Sequence, residues 1–218
     1  RAKRASHALQ HANARLQTSV EELRHRNDEM ALLGELSQLL HGCGTTEEAC
    51  AFGAQFLARL CPGGSGAIFL FGDDATRATR TAAWGRVTHL AEELRRDECW
   101  ALRRSTVHAV DPRRLGLLCG HVARDVVACA CVPLMAPGEC LGVLYVESAT
   151  DASVATMPGP GILEAVAQEV SLTLANVRLH DMLLRHSVRD PLTGLWNRRV
   201  LDEWFDRGTP GVTKDECR

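Results

Sequence analysis

Near the start of the chain, apolar positions recur every seven residues: Leu9, Leu16, Leu23 and Met30, with Asn13, Val20 and Asn27 at the positions between. That spacing predicts one helix running to about Gly34 with a narrow apolar seam. Asn at two inner positions favours a parallel two-stranded coiled coil, because facing Asn side chains satisfy each other only in register. A helix packed on its own domain is the other reading, but it needs no strict period of seven, since the 3.6 repeat drifts away from it. From Ala31 the phase shifts. Leu32, Leu33, Leu36, Leu39 and Leu40 form a broader face suited to lying on a core. His41-Gly42-Cys43-Gly44 ends that segment. Thr45 or Thr46 then caps a helix over 47–60, with Glu47 and Glu48 in its first turn, and Cys61-Pro62-Gly63-Gly64 stops it.

After this the period changes. Ala67 to Phe71 is a short apolar run bounded by glycines and predicts a buried strand. Gly72-Asp73-Asp74 turns the chain, and 78–84 is its antiparallel partner. The segment 90–104 is expected to be helical, charged at its start and ending in Glu98-Cys99-Trp100-Ala101-Leu102-Arg103-Arg104. Val107 to Val110 is a short strand, and Asp111-Pro112 opens an irregular connection that contains Cys119-Gly120-His121. Two strong strands follow, 126–135 and 140–147, joined through Ala136-Pro137-Gly138-Glu139 as a hairpin. A loop with Pro158, Gly159 and Pro160 leads to a long helix over 162–188 with two apolar stripes. One stripe is Leu163, Val166, Val170, Val177 and Leu184; the other is Leu172, Ala175, Leu179 and Leu183. One face suits docking on the domain and the other a second copy of the same helix. This order predicts an α+β fold, an antiparallel sheet flanked by helices, with long signalling helices at both ends.

Composition narrows the function classes. In 218 residues, 45% are hydrophobic, enough for a core of one domain with helical extensions. A net charge of −2 and a pI near 6.5 offer nothing to nucleic acid or an anionic membrane surface. No apolar run is long enough to cross a membrane and no signal peptide is recognisable, so the expected location is cytoplasmic, whether or not a segment upstream of residue 1 attaches the parent to a membrane. Nine cysteines, an odd number set in apolar runs, point to reduced thiols.

The run Asp190-Pro191-Leu192-Thr193-Gly194-Leu195-Trp196-Asn197-Arg198-Arg199 reads physically as a hinge. Asp190 before Pro191 stops the incoming helix, and Thr193-Gly194 turns the chain. The run also closely resembles the entry motif of GGDEF domains, the diguanylate cyclases. Only residues 200–218 follow it, and the Gly-Gly-Asp/Glu-Glu-Phe signature is absent. The resemblance implies a parent that joins two GTP molecules into cyclic di-GMP, using magnesium, across a dimer of such domains. The chain alone is expected to be inert, with Asp190, Thr193, Gly194, Asn197 and Arg198 as hinge residues. Further upstream, Cys131-Val132-Pro133-Leu134 and Gly142-Val143-Leu144-Tyr145-Val146 resemble the final hairpin of GAF domains. The implied organisation is a signalling helix over 1–31, a GAF-like sensory domain over 32–176, a linker helix over 177–189 and the start of a GGDEF domain over 190–218.

Candidate chemistry is confined to a few residues. There is no phosphate loop: Gly63-Gly64-Ser65-Gly66 lacks the Lys-Ser/Thr that one needs. No Cys-x-x-Cys-His string exists to attach haem. Cys119 and His121 place two soft ligands in one irregular loop, and Cys99 and His108 complete a candidate set of four for zinc or iron, with Cys131 in the same cluster. The blander reading makes Cys99, Cys129 and Cys131 core residues and leaves His108 and His121 at the surface. GAF domains commonly hold a small ligand between sheet and overlying loops; here Trp84, Trp100, Arg103, Arg104 and His108 would line that space, together with His121. Arg103 and Arg104 equally suit the C-terminal end of a helix, where cations are favoured, and Trp100 equally suits the core. The function expected is a homodimeric sensory module, with a small-molecule or metal effector, that passes a signal to a cyclase. A ligand-free dimerisation spacer below an upstream sensor is the alternative, and an adaptor for another protein is a third.

Overall fold

The structure is a computed structural model and describes residues 2–86, 90–110, 116–123, 126–148 and 157–188. The hinge residues 190–198 lie outside them. The chain divides into two units, Arg1–Leu174 and Ala175–Arg218.

The first unit opens with α1, Ala2–His41, a single unbroken helix. The change of phase at Ala31 therefore marks a change of surroundings, not a break. Among its described side chains, Leu16, Leu23 and Met30 are exposed, whereas Leu36 and Leu40 are fully buried. Helix α2, Thr46–Leu60, begins where Thr45 accepts a hydrogen bond from the Glu48 N–H, at 3.2 Å. It buries Ala49, Cys50, Gly53, Ala54, Phe56 and Leu57.

Strands β1 (Ser65–Phe71), β2 (Arg77–Trp84), β3 (Glu93–Arg95), β4 (His108–Val110), β5 (Ala128–Ala136) and β6 (Glu139–Ser148) form one antiparallel sheet in the order β3-β2-β1-β6-β5-β4. The segment 90–104 departs from expectation. It starts as edge strand β3, passes through one 3-10 turn, Arg96–Glu98, and becomes helical only in α3, Trp100–Arg104. Pairing decides this: Ala78 opposite Leu94 lets Leu94 enter the core, an option local charge pattern does not reveal. The β5–β6 hairpin turns through Pro137-Gly138, where Gly138 has φ 88, a conformation glycine adopts without strain.

The long helix α4 spans Pro160–Val188, with proline in its first turn, where a missing N–H costs nothing. In the first unit its Leu163, Val166, Ala167, Val170 and Leu174 are buried. The described part of the second unit is the rest of this helix, on which Leu179, Met182 and Leu183 are exposed. Leu172 is exposed as well.

Strand alternation gives the sheet two faces. Ile68, Leu144 and Val132 stand in register on one of them. There α2 approaches so closely that a Cβ on Gly53 would sit 3.0 Å from Val170 of α4 and 3.3 Å from Ile68. The other face carries Ala67, Phe69, Cys129, Cys131, Val143 and Tyr145, which cluster with Leu102 of α3 and with Cys99 and Cys119. Among the described residues, no helix is long and apolar enough to cross a membrane.

Candidate metal centre

Four donor side chains meet on that second face. Cys99 is the residue that leads into α3, Cys119 and His121 belong to the connection between β4 and β5, and Cys131 stands in the middle of β5. Their ligand atoms all lie within 4.8 Å of one another. The Sγ atoms of Cys119 and Cys131 are 3.9 Å apart, and His121 Nε2 is 3.6 Å from Cys131 Sγ. The three cysteines are buried and His121 is half-buried. The imidazole packs edge-on against Tyr145, with ring centres 5.4 Å apart. Its Nδ1 is buried without a hydrogen-bond partner.

The electrostatics follow from this crowding. Hydrogen bonds from Cys131 and then Cys99 hold the Cys119 thiol far below the usual thiol range, with smaller help from His121 and the Trp100 N–H. The Trp100 N–H donates to Cys119 Sγ at 3.3 Å. Hydrogen bonding with Cys119 pushes the Cys99 thiol up to about 11 and raises Cys131 well above its ordinary value. Cys61 and Cys129 differ: burial comes first in raising them, to about 11 and about 12, as for ordinary core thiols.

His108, expected among the ligands, is not in this group. It is the cross-strand partner of Cys131, yet its Nε2 makes a hydrogen bond with the Leu117 carbonyl at 2.8 Å, and its ring lies 6.4 Å from that of Trp100. Cys131 takes the fourth place. Alternation along β5 puts Cys129 and Cys131 on the same face, but it is Cys131 whose sulfur lies close to Cys119 and His121.

Residues 45–174 match the family model of the GAF domain. The chain belongs to the GAF family. Solved structures of similar fold include the free methionine-R-sulfoxide reductase of Neisseria meningitidis in complex with its substrate (14% identity over 70% of this chain and 91% of that one, TM-score 0.56). The GAF domain of a sensor histidine kinase from Pseudomonas syringae covers 77% of this chain and 99% of its own at 16% identity, TM-score 0.55. That of a phosphoenolpyruvate-protein phosphotransferase from Acinetobacter covers 70% and 96% at 16%, TM-score 0.54. At such identities the likeness speaks for the fold. No curated protein matches the chain.

Within this GAF domain the residues expected to line a ligand site are dispersed. Trp84 is buried on β2 opposite Gly66, whose lack of a Cβ makes room for the indole. Trp100 is half-buried, and the Arg103 guanidinium lies 4.3 Å above its ring. Arg103 and Arg104 form the last turn of α3, as the helix-end reading required. A cleft of about 830 Å³ is lined by Arg77, Arg95, Arg96, Asp97 and Arg103 among others. Of the five expected ligand residues, only Arg103 is among its described walls. Sequence reasoning missed the Arg77 and Arg95 side of that cleft because it depends on β3 pairing beside β2.

Proposed function

We propose that this GAF domain is the sensory and regulatory module of a diguanylate cyclase, working as a homodimer. The observation that carries the reading is the run Asp190 to Arg199, which matches the GGDEF entry motif at Asp190, Leu192, Thr193, Gly194, Leu195, Asn197, Arg198 and Arg199, immediately beyond α4 in sequence. Dimerisation is supported by apolar side chains left exposed at heptad spacing on α1, Leu16, Leu23 and Met30, and by Leu172, Leu179 and Leu183 on α4. An effector would bias the helix pair only by its different affinity for two arrangements, and the hinge at Asp190 would pass the change to the output domains. The ligand-free spacer reading draws on a different observation: the space beneath α3 is filled by the domain's own Phe69, Leu102, Tyr145 and cysteines.

The test is cyclic di-GMP formation from GTP by the natural protein that carries this chain. Expected are turnover by that protein, none by the 218-residue chain alone, and loss of both dimer and most activity when Leu16 and Leu23 are replaced by Glu. A natural protein that is monomeric, or that makes no cyclic di-GMP, overturns the reading.

A further inference from the structure

We propose that Cys99, Cys119, His121 and Cys131 bind one zinc ion in a closed, four-ligand structural site. The geometry points to a single ion. Around tetrahedral zinc, with Zn–S near 2.3 Å and Zn–N near 2.0–2.1 Å, sulfur–sulfur edges are about 3.8 Å and sulfur–nitrogen edges about 3.6 Å. Cys119 and Cys131 are already 3.9 Å apart, and Cys131 and His121 are 3.6 Å apart. With all donors inside 4.8 Å of one another, there is no room for a cluster of several irons. Three thiols and an imidazole are a soft set that selects zinc over magnesium or calcium, and four ligands at tetrahedral edges suit zinc better than copper(I).

A core made of ordinary hydrophobic cysteines does not account for His121. Burying an imidazole costs free energy unless its nitrogens find partners. Here Nδ1 has none, and Nε2 has a thiol at 3.6 Å. A metal on Nε2 replaces that weak contact with a bond. The site also joins three separate segments of the chain. The loop carrying Cys119 and His121 has no strand or helix among its described residues, and its backbone ties are few: Gly120 N–H to Glu98 C=O at 2.8 Å and Val122 N–H to Cys119 C=O at 3.1 Å. Zinc would fasten this loop to the start of α3 and to the middle of β5. On binding, the thiols are deprotonated and their protons go to solvent, so no oxidant or reductant is involved.

The proposal does not rest on the cyclase reading, because it is tested on the chain alone. The chain is purified under reductant without an immobilised-metal column, and its metal content is measured. The stripped chain is then titrated with cobalt(II). Expected are about one zinc per chain, saturation at one cobalt with the intense absorption of tetrahedral cobalt thiolate, and loss of zinc in Cys119→Ser. Should Cys119→Ser fail to fold, His121→Ala keeps the test open: it is expected to retain the thiolate-to-cobalt band with weaker binding and a changed visible spectrum. A reduced chain that carries no zinc and shows no cobalt-thiolate absorption overturns the proposal. So does a Cys119–Cys131 disulfide that persists in chain prepared under reductant.

Discussion

On one face of the sheet Ile68, Val132 and Leu144 stand in register, and a glycine at position 53 lets α2 come close to Ile68 and to Val170 of α4. On the other, Phe69 and Tyr145 share the interior with Cys99, Cys119, Cys129 and Cys131, a histidine and the buried pair Tyr145–Glu147, whose hydroxyl donates to the carboxylate at 2.6 Å. Both faces are buried, but by different physics. Aliphatic packing is non-directional and is satisfied by shape. Polar atoms and thiols are satisfied only by a partner at a set distance and angle. The first face therefore suits a structural platform, and the second is where an ion or an effector can act on the fold.

The largest effect is expected on the first face. Leu144 is 2% exposed at the middle of β6. Leu144→Ala should cost about 2–5 kcal/mol in urea unfolding, from lost burial and the cavity left behind. A cost well under that range would mean that the helices α2 and α4 do not form the main platform.

The second face is probed by Tyr145→Phe. Removing the hydroxyl takes a buried donor from Glu147 and should cost about 1–3 kcal/mol. Burial, and then the hydrogen bond to Glu147, hold Tyr145 protonated far above its usual range. Its folded value thus lies above the unfolded one near 10, so its contribution is complete below about pH 10 and is lost as pH rises further. Tyr145 is the only tyrosine in the chain, so ultraviolet titration reads it alone. Tyrosinate should appear only with unfolding, and its appearance near pH 10 in folded protein would show that this face is open to water.

The smallest change sharpens the contrast. Thr45→Ala removes the cap of α2 and should cost about 1 kcal/mol in the same unfolding experiment. Because α2 lies across the aliphatic face, the reactivity of Cys119 and Cys131 towards a thiol reagent should not change. A change would mean that the two faces are coupled.

Much of this was legible along the chain. The β5–β6 hairpin, the cap at Thr45 and the two stripes of α4 rest on local periodicity and turn chemistry, and local rules are what a sequence displays. The segment 90–104 was misread because β3 exists only through its pairing with β2, a non-local gain that outweighs the charged, helix-like pattern. The arginine-lined cleft escaped notice for the same reason.

For the candidate centre the division is clearest at the fourth donor. By itself the sequence determined that Cys119 and His121 share one bendable loop, since two residues of spacing is a local fact; that Cys99 leads into the short helix α3 came from the structure. His108 and Cys131 were both available from the sequence, and they face each other across β4 and β5. Only the tertiary structure decided between them. It turned the His108 ring to the Leu117 carbonyl and brought Cys131 against His121, because a donor's direction depends on which hydrogen bond its own neighbourhood offers.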